Sequence, residues 1–243
     1  MADQAAAHTE MVQLLFDAKA ASWPAKYAPD GPLVGRLTEL GNAVGYYVAT
    51  GGRVLDLGCG TGELARHLAA AGLRVTGCDI AAQMLDLAAA SDLDGAVEWV
   101  QLDPTWRKLP FEPATFDAIV AASVLEYVNL PDAALRECAR VLRPGGIVLC
   151  TVPDPTHPVR WLEWLARAAA KVPAVRGAVG VWPKLDRYLT YLQISRHRHT
   201  AEWWCAAGAR AGLMTVPRPA DATGHPALRL LTFKQHRHSQ ETV

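Results

Sequence analysis

The chain has 243 residues, 51% of them hydrophobic, with 24 basic residues balanced by 24 acidic ones. That length and apolar content suit one compact α/β domain with a small appended lid, and the lack of a basic surplus argues against a nucleic-acid partner. The five cysteines, Cys59, Cys78, Cys138, Cys150 and Cys205, form no C-x-x-C pair, and their mostly apolar neighbours predict buried thiols rather than disulfides or zinc ligands. With no signal-peptide pattern at the start and no apolar run long enough to span a bilayer, a soluble cytoplasmic protein is the expectation.

The first 50 residues read as a helical cap. Met11, Leu14, Leu15 and Ala18 recur at helical spacing before Pro24, and Leu33, Leu37, Leu40 and Val44 share one face of a second helix over 32–47. Strand and helix signals then alternate. Strands are expected at 53–57, 74–78, 97–102, 116–121 and 147–152, and helices at 63–71, 81–90 and 132–142. This rhythm predicts βαβ units and a mostly parallel sheet. It breaks after Pro153, where prolines and aromatics alternate, and resumes with a helix over 201–211, N-capped by Thr200, and two last apolar stretches. The organisation is thus a cap (1–50), a cofactor-binding core (51–154), a lid insertion (155–199) and a closing helix with strands (200–243).

The strongest signal is Val54-Leu55-Asp56-Leu57-Gly58-Cys59-Gly60-Thr61-Gly62, a buried strand running into a glycine turn that opens a helix. Glycine lets the backbone bend sharply and approach a ligand closely. The dinucleotide fingerprint wants a third glycine where Glu63 stands, and an acidic side chain there opposes a pyrophosphate. No Gly-Lys-Ser/Thr follows either, so a ligand without phosphates fits better. Asp79 ends the second strand 21 residues after Gly58, near the spacing of a ribose-binding carboxylate. Asp103 closes the third strand similarly; it either accepts from an adenine amino group or is a turn aspartate before Pro104.

Together with Met84-Leu85, Leu109-Pro110-Phe111, Phe116-Asp117-Ala118-Ile119-Val120, Ser123-Val124-Leu125 and Leu142-Arg143-Pro144-Gly145-Gly146, these residues resemble the class I, Rossmann-like S-adenosylmethionine-dependent methyltransferases. The flavour is that of the type 11, ubiquinone/menaquinone-biosynthesis-like small-molecule branch, and the resemblance covers about residues 50–155. It implies a seven-stranded, mostly parallel sheet flanked by helices and closed by a hairpin. It also implies S-adenosylmethionine as cofactor, with S-adenosylhomocysteine as product. Asp56, Gly58, Cys59 and Gly60 would then pass beside the methionine part, Asp79 would hold the ribose, and Ile80 and Met84 would pack near the adenine. Asp103 and Pro104 would meet the adenine edge, and Ala122 and Ser123 would lie under the sulfonium. Tyr27 would touch the methionyl group and Arg36 would pair with its carboxylate; a packed aromatic and a surface arginine are the alternatives.

Methyl transfer needs positioning and, for a hydroxyl, removal of a proton. Glu126, where family members often carry histidine, is a candidate base or a helix-start glutamate. His197 and His199 are candidate bases or solvated residues before the last helix. Tyr127, Trp161 and Trp164 are candidate acceptor walls; the tryptophans alternatively cap the core of an inserted helical pair. His236-Arg237-His238 reads as an exposed tail, and no histidine spacing suits a metal. The resulting expectation is an O- or N-methyltransferase of a small, apolar or aromatic acceptor, without nucleic acid or membrane span, with dimerisation left open. A protein or RNA methyltransferase, or a cofactor-binding protein with altered chemistry, are the alternatives. No Asn/Asp-Pro-Pro-Tyr/Phe motif follows the fourth strand.

Overall fold

Seven strands make one sheet, the first five in the order third, second, first, fourth, fifth, followed by the seventh and then the sixth. The computed structural model describes residues 2–169, 172, 182–217 and 227–236, so His225, Arg237, His238 and part of the lid lie outside the described residues. β1 (Arg53–Leu57), β2 (Arg74–Asp79), β3 (Val97–Gln101), β4 (Phe116–Ala122) and β5 (Leu142–Pro153) run parallel. β7 (Leu228–Gln235) inserts antiparallel between β5 and the short β6 (Leu213–Thr215), which gives the expected closing hairpin.

Both faces of the sheet are covered, so the central strands are buried on alternate sides. Val54, Ala118, Val120, Ile147 and Leu149 pack with Leu40 and Val44 of α2 (Val34–Tyr47) and with Leu64 and Leu68 of α3 (Glu63–Ala70). Leu55, Leu57, Ile119, Ala121, Val148 and Cys150 face the other way, and α4 (Ala82–Ala90) flanks β2 and β3. Their layer includes Leu135 and Cys138 of α5 (Pro131–Val141) and a fully buried Trp204. All five cysteines are free; four are buried and Cys205 is half-buried.

One boundary departs from the sequence reading. β5 was expected from Ile147, yet it starts at Leu142, which pairs with Phe116 while Ile147 pairs with Ala118. The Arg143-Pro144-Gly145-Gly146 segment, with Gly145 at φ +82°, bulges opposite one β4 residue, Asp117, whose carboxylate accepts from Arg143 at 2.9 Å.

The cap and lid close over the carboxyl ends of the parallel strands. α1 (Ala2–Asp17) is followed by 3-10 turns at Ala20–Ser22 and Pro24–Tyr27. The lid comprises α6 (Val159–Ala169) and α7 (Pro183–Ile194). α8 (Ala201–Arg210) follows, with the Thr200 hydroxyl accepting from the Trp203 N–H as an N-cap. The ring of His8, fully buried in α1, bridges the Asn129 side chain at 3.0 Å and the Ile194 carbonyl at 2.9 Å. Cap, core and lid are thereby tied through one side chain.

Candidate functional site

Where β1 ends, the chain turns away through Gly58 (φ +70°), Gly60 (φ +57°) and Gly62 (φ +81°). These left-handed angles favour glycine. At Gly58 space adds a second reason, since a Cβ would stand 2.3 Å from a methyl of Val124. The loop is fixed by Asp79, which accepts from the Gly60 N–H and the Ala81 N–H, each at 2.9 Å. Burial nevertheless raises the Asp79 carboxyl above the ordinary aspartate range.

Asp56 lies one residue before the end of β1, buried, with Oδ2 lacking any hydrogen-bond partner. Burial first, then the nearby Asp79 charge, pushes it up to about 7, against a smaller opposing pull from Arg36. Arg36, from α2, donates through Nη2 to Ser123 Oγ at 2.8 Å and to Thr151 Oγ1, yet its buried Nε has no partner. Tyr27 hydrogen-bonds Arg36, and burial raises its phenol to about 12. Ser123, immediately after β4, has φ +59°, a costly angle for a residue with a side chain. Its N–H donates to Thr151 Oγ1 at 2.9 Å. An unpartnered buried acceptor, Asp56 Oδ2, and an unpartnered buried donor, Arg36 Nε, therefore belong to residues that line one cavity. An amino acid's ammonium and carboxylate are the complementary groups.

Tyr27, Arg36, Asp56, Gly58, Gly60, Asp79 and Ser123 line one end of a cavity of about 1300 Å³, together with Cys59, Ile80, Met84, Pro104 and Ala122. Trp23 leans over the loop, 3.4 Å from where a Gly60 Cβ would stand. Asp103 does not share the position of its neighbours. It is exposed and absent from the cavity wall, and its Oδ1 accepts from Thr105 N (2.7 Å) and Thr105 Oγ1 (2.6 Å), which holds the carboxyl below its usual range. Those hydrogen bonds are the ones a turn aspartate makes.

The other end of the cavity is aromatic. Phe16, Tyr127 and Tyr191 meet edge to face, with ring centres 5.3 Å apart for Phe16–Tyr127 and 6.3 Å for Tyr127–Tyr191. Glu126 also lines this end, deeply buried, with its Oε2 accepting from Ser195 Oγ. Burial raises its carboxyl, while Ser195 and the Arg198 charge pull the other way. Its backbone carbonyl accepts from the N–H groups of Arg196 (3.0 Å) and His197 (3.2 Å), anchoring the segment after α7.

The two histidines and two tryptophans stand elsewhere. His197 Nδ1 and His199 Nε2 are 3.3 Å apart, and neither ring lines the cavity. Burial, then the His199 charge, lowers His197 to about 4, and His199 stacks on Trp203 at 3.7 Å. Trp161 and Trp164 are 64% and 63% exposed on the outer face of α6, while Val159, Arg160 and Glu163 of the same helix face the cavity. Sequence reasoning missed Phe16, Lys19, Thr151, Arg160 and Glu163 as cavity or site residues. For Arg160 and Glu163 a signal existed: they are three apart on one helix, the spacing of an ion pair. Among the described residues no cluster of His, Cys, Asp or Glu could hold a metal ion, and no helix is long and apolar enough to cross a membrane.

Comparison with known proteins matches residues 55–150 to the family described as Methyltransferase domain. A ubiquinone biosynthesis O-methyltransferase of Xanthomonas oryzae pv. oryzae is 38% identical over 97 residues, covering 40% of this chain. The chain covers 41% of the length of that relative. Among solved structures, a chain from the complex between the Haloferax volcanii Trm112 methyltransferase activator and its methyltransferase partner superposes with a TM-score of 0.66 at 23% identity. It covers 92% of this chain and 98% of its own. An S-adenosylmethionine-dependent methyltransferase from Mesorhizobium loti superposes with a TM-score of 0.59 at 19% identity, covering 85% of this chain and 99% of its own.

Proposed function

We propose, from the premise that residues 55–150 belong to the class I S-adenosylmethionine-dependent methyltransferases, that this chain methylates an oxygen or nitrogen of a small acceptor with an aromatic or apolar body. The observation that carries the reading is the set of buried polar atoms without partners at the strand ends, Asp56 Oδ2 and Arg36 Nε, beside the Gly58–Gly60 turn. S-adenosylmethionine supplies an electrophilic methyl group on a sulfonium. Asp56 would hold the cofactor's ammonium, Arg36 with Tyr27, Ser123 and Thr151 its carboxylate, and Asp79 its ribose. Asp79 already spends lone pairs on Gly60 and Ala81, so the carboxylate that receives the ribose also fixes the loop.

The chain's further work is positioning and exclusion of water. Phe16, Tyr127 and Tyr191 make an apolar seat for the acceptor, under the closure that His8 and Asn129 pin. Proton removal from an acceptor hydroxyl falls to Glu126, which lines that seat and is held above the usual glutamate range by burial. The balance of charges over the chain and this enclosed seat favour a small molecule over RNA.

Calorimetric titration with S-adenosylmethionine and S-adenosylhomocysteine tests the cofactor half. Micromolar binding by the wild-type chain, weakened at least about tenfold by Asp79→Ala, is expected. No binding of either compound by the folded wild-type chain would sink the proposal. Binding without turnover across a panel of phenols and amines would leave a cofactor-binding protein with altered chemistry.

A further inference from the structure

Resting on the methyltransferase reading, we infer that the acceptor carries an anionic oxyacid group, a carboxylate or phosphate, and that Lys19, Lys26 and Arg187 receive it. All three line the same cavity as the aromatic seat. The carboxylates that line the cavity are engaged elsewhere. Glu163 accepts from Arg160 at 2.7 and 2.9 Å and is paired with Arg198, Glu126 accepts from Ser195 and faces the acceptor as its base, and Asp56 and Asp79 belong to the strand-end half. Among the described residues, Lys19, Lys26 and Arg187 form no ion pair.

What the two lysines touch is aromatic. The Lys19 ammonium lies 5.7 Å from the Phe16 ring centre and 5.4 Å from that of Tyr191, and the Lys26 ammonium 3.6 Å from that of Trp23. A ring face offsets part of the lost hydration but carries no net charge. The cations also oppose one another. Burial, then the charges of Lys26 and Arg187, bring Lys19 down to about 8. Like charges gathered on the wall of a partly dry cavity are costly until an anion joins them, and an oxyacid group accepts charge-assisted hydrogen bonds from all three. The cofactor's own carboxylate does not fill this role, because Arg36 with its unpartnered Nε serves the strand-end half. The Phe16 and Tyr191 rings beneath Lys19 then define the acceptor as a planar apolar body with an anionic substituent.

Titration of the full chain with 2-naphthoate, 2-naphthyl phosphate and methyl 2-naphthoate, with and without saturating S-adenosylhomocysteine, tests the inference. At least one anion should bind about tenfold or more tightly than the neutral ester. The stronger of the two identifies the oxyacid. Lys19→Met and Arg187→Gln should each reduce that preference severalfold while S-adenosylhomocysteine affinity stays at the wild-type value, which also reports that the variants fold. Equal binding of ester and anions, no binding of either anion, or a preference surviving in the double variant overturns the inference. Loss of S-adenosylhomocysteine binding in the wild type would instead strike the methyltransferase reading, and anion preference without the cofactor would still decide the cation site.

Discussion

Asp56 is a buried carboxyl whose proton is worth free energy to the folded chain. Its value of about 7 lies well above that of an exposed aspartate, so between about pH 4 and 7 the folded state holds a proton that the unfolded state has released. Stability of the cofactor-free chain therefore falls as pH rises through that window and levels off above it. Asp56→Asn removes the penalty. We expect it to be more stable than the wild type at pH 8, by about 2–4 kcal/mol, with the difference closing as pH falls toward 4 in urea titrations. A difference that stays constant between pH 8 and 4 would mean the carboxyl is satisfied in the free protein. The same substitution should weaken S-adenosylmethionine binding at pH 8. Asp79 and the three glycines were legible in the sequence because a fixed number of residues connects them. Arg36 and Thr151 meet across 115 residues, and no local pattern encodes that contact. Asp103 shows the limit from the other side: a strand-end aspartate followed by proline suits two roles, and in the structure its Oδ1 accepts from Thr105 in a turn.

Helix α6 shows how one element serves two surfaces. Its apolar residues were legible as a lid, but which side turns inward was not. Arg160 and Glu163 face the cavity wall because Arg198, beyond α7, pairs with Glu163, and Arg160 also donates to the Ala227 carbonyl at 2.7 Å. Burying those charges is tolerable only as a set, so the set decides the rotation of the helix and leaves Trp161 and Trp164 outside. Removing one member strands the others. Glu163→Ala should lower stability by about 3 kcal/mol in denaturant unfolding and make the α6–α7 segment more sensitive to limited proteolysis. A loss under about 0.5 kcal/mol would place the network among exposed pairs that contribute little. Glu126 belongs to the same logic: a residue singled out for its place after β4 also holds the Arg196–His197 backbone, a contact no local pattern encodes.

Across the molecule, the sheet is completed out of order. β7 lies between β5 and β6, so Phe233, near the end of the described chain, reaches the central core and sits fully buried against Gly208 of α8. Phe233→Ala should cost about 3–5 kcal/mol and sharply lower the thermal midpoint; a shift of only a degree or two would mean the closing hairpin is peripheral to the fold. The strand-helix alternation, the glycine turn and the strand-end Asp79 were readable from residues 50–155, because each rests on short-range geometry: two-residue alternation in strands, 3.6-residue recurrence in helices, left-handed glycines at a sharp turn; the closing hairpin was expected only from the family resemblance. Only the tertiary structure decided which aromatics wall the cavity, which charges are matched within it, and which cations stand without an ionic partner. Those outcomes depend on cap, core and lid converging from positions more than a hundred residues apart, and the cost of desolvating a charge is set by that convergence and by nothing local.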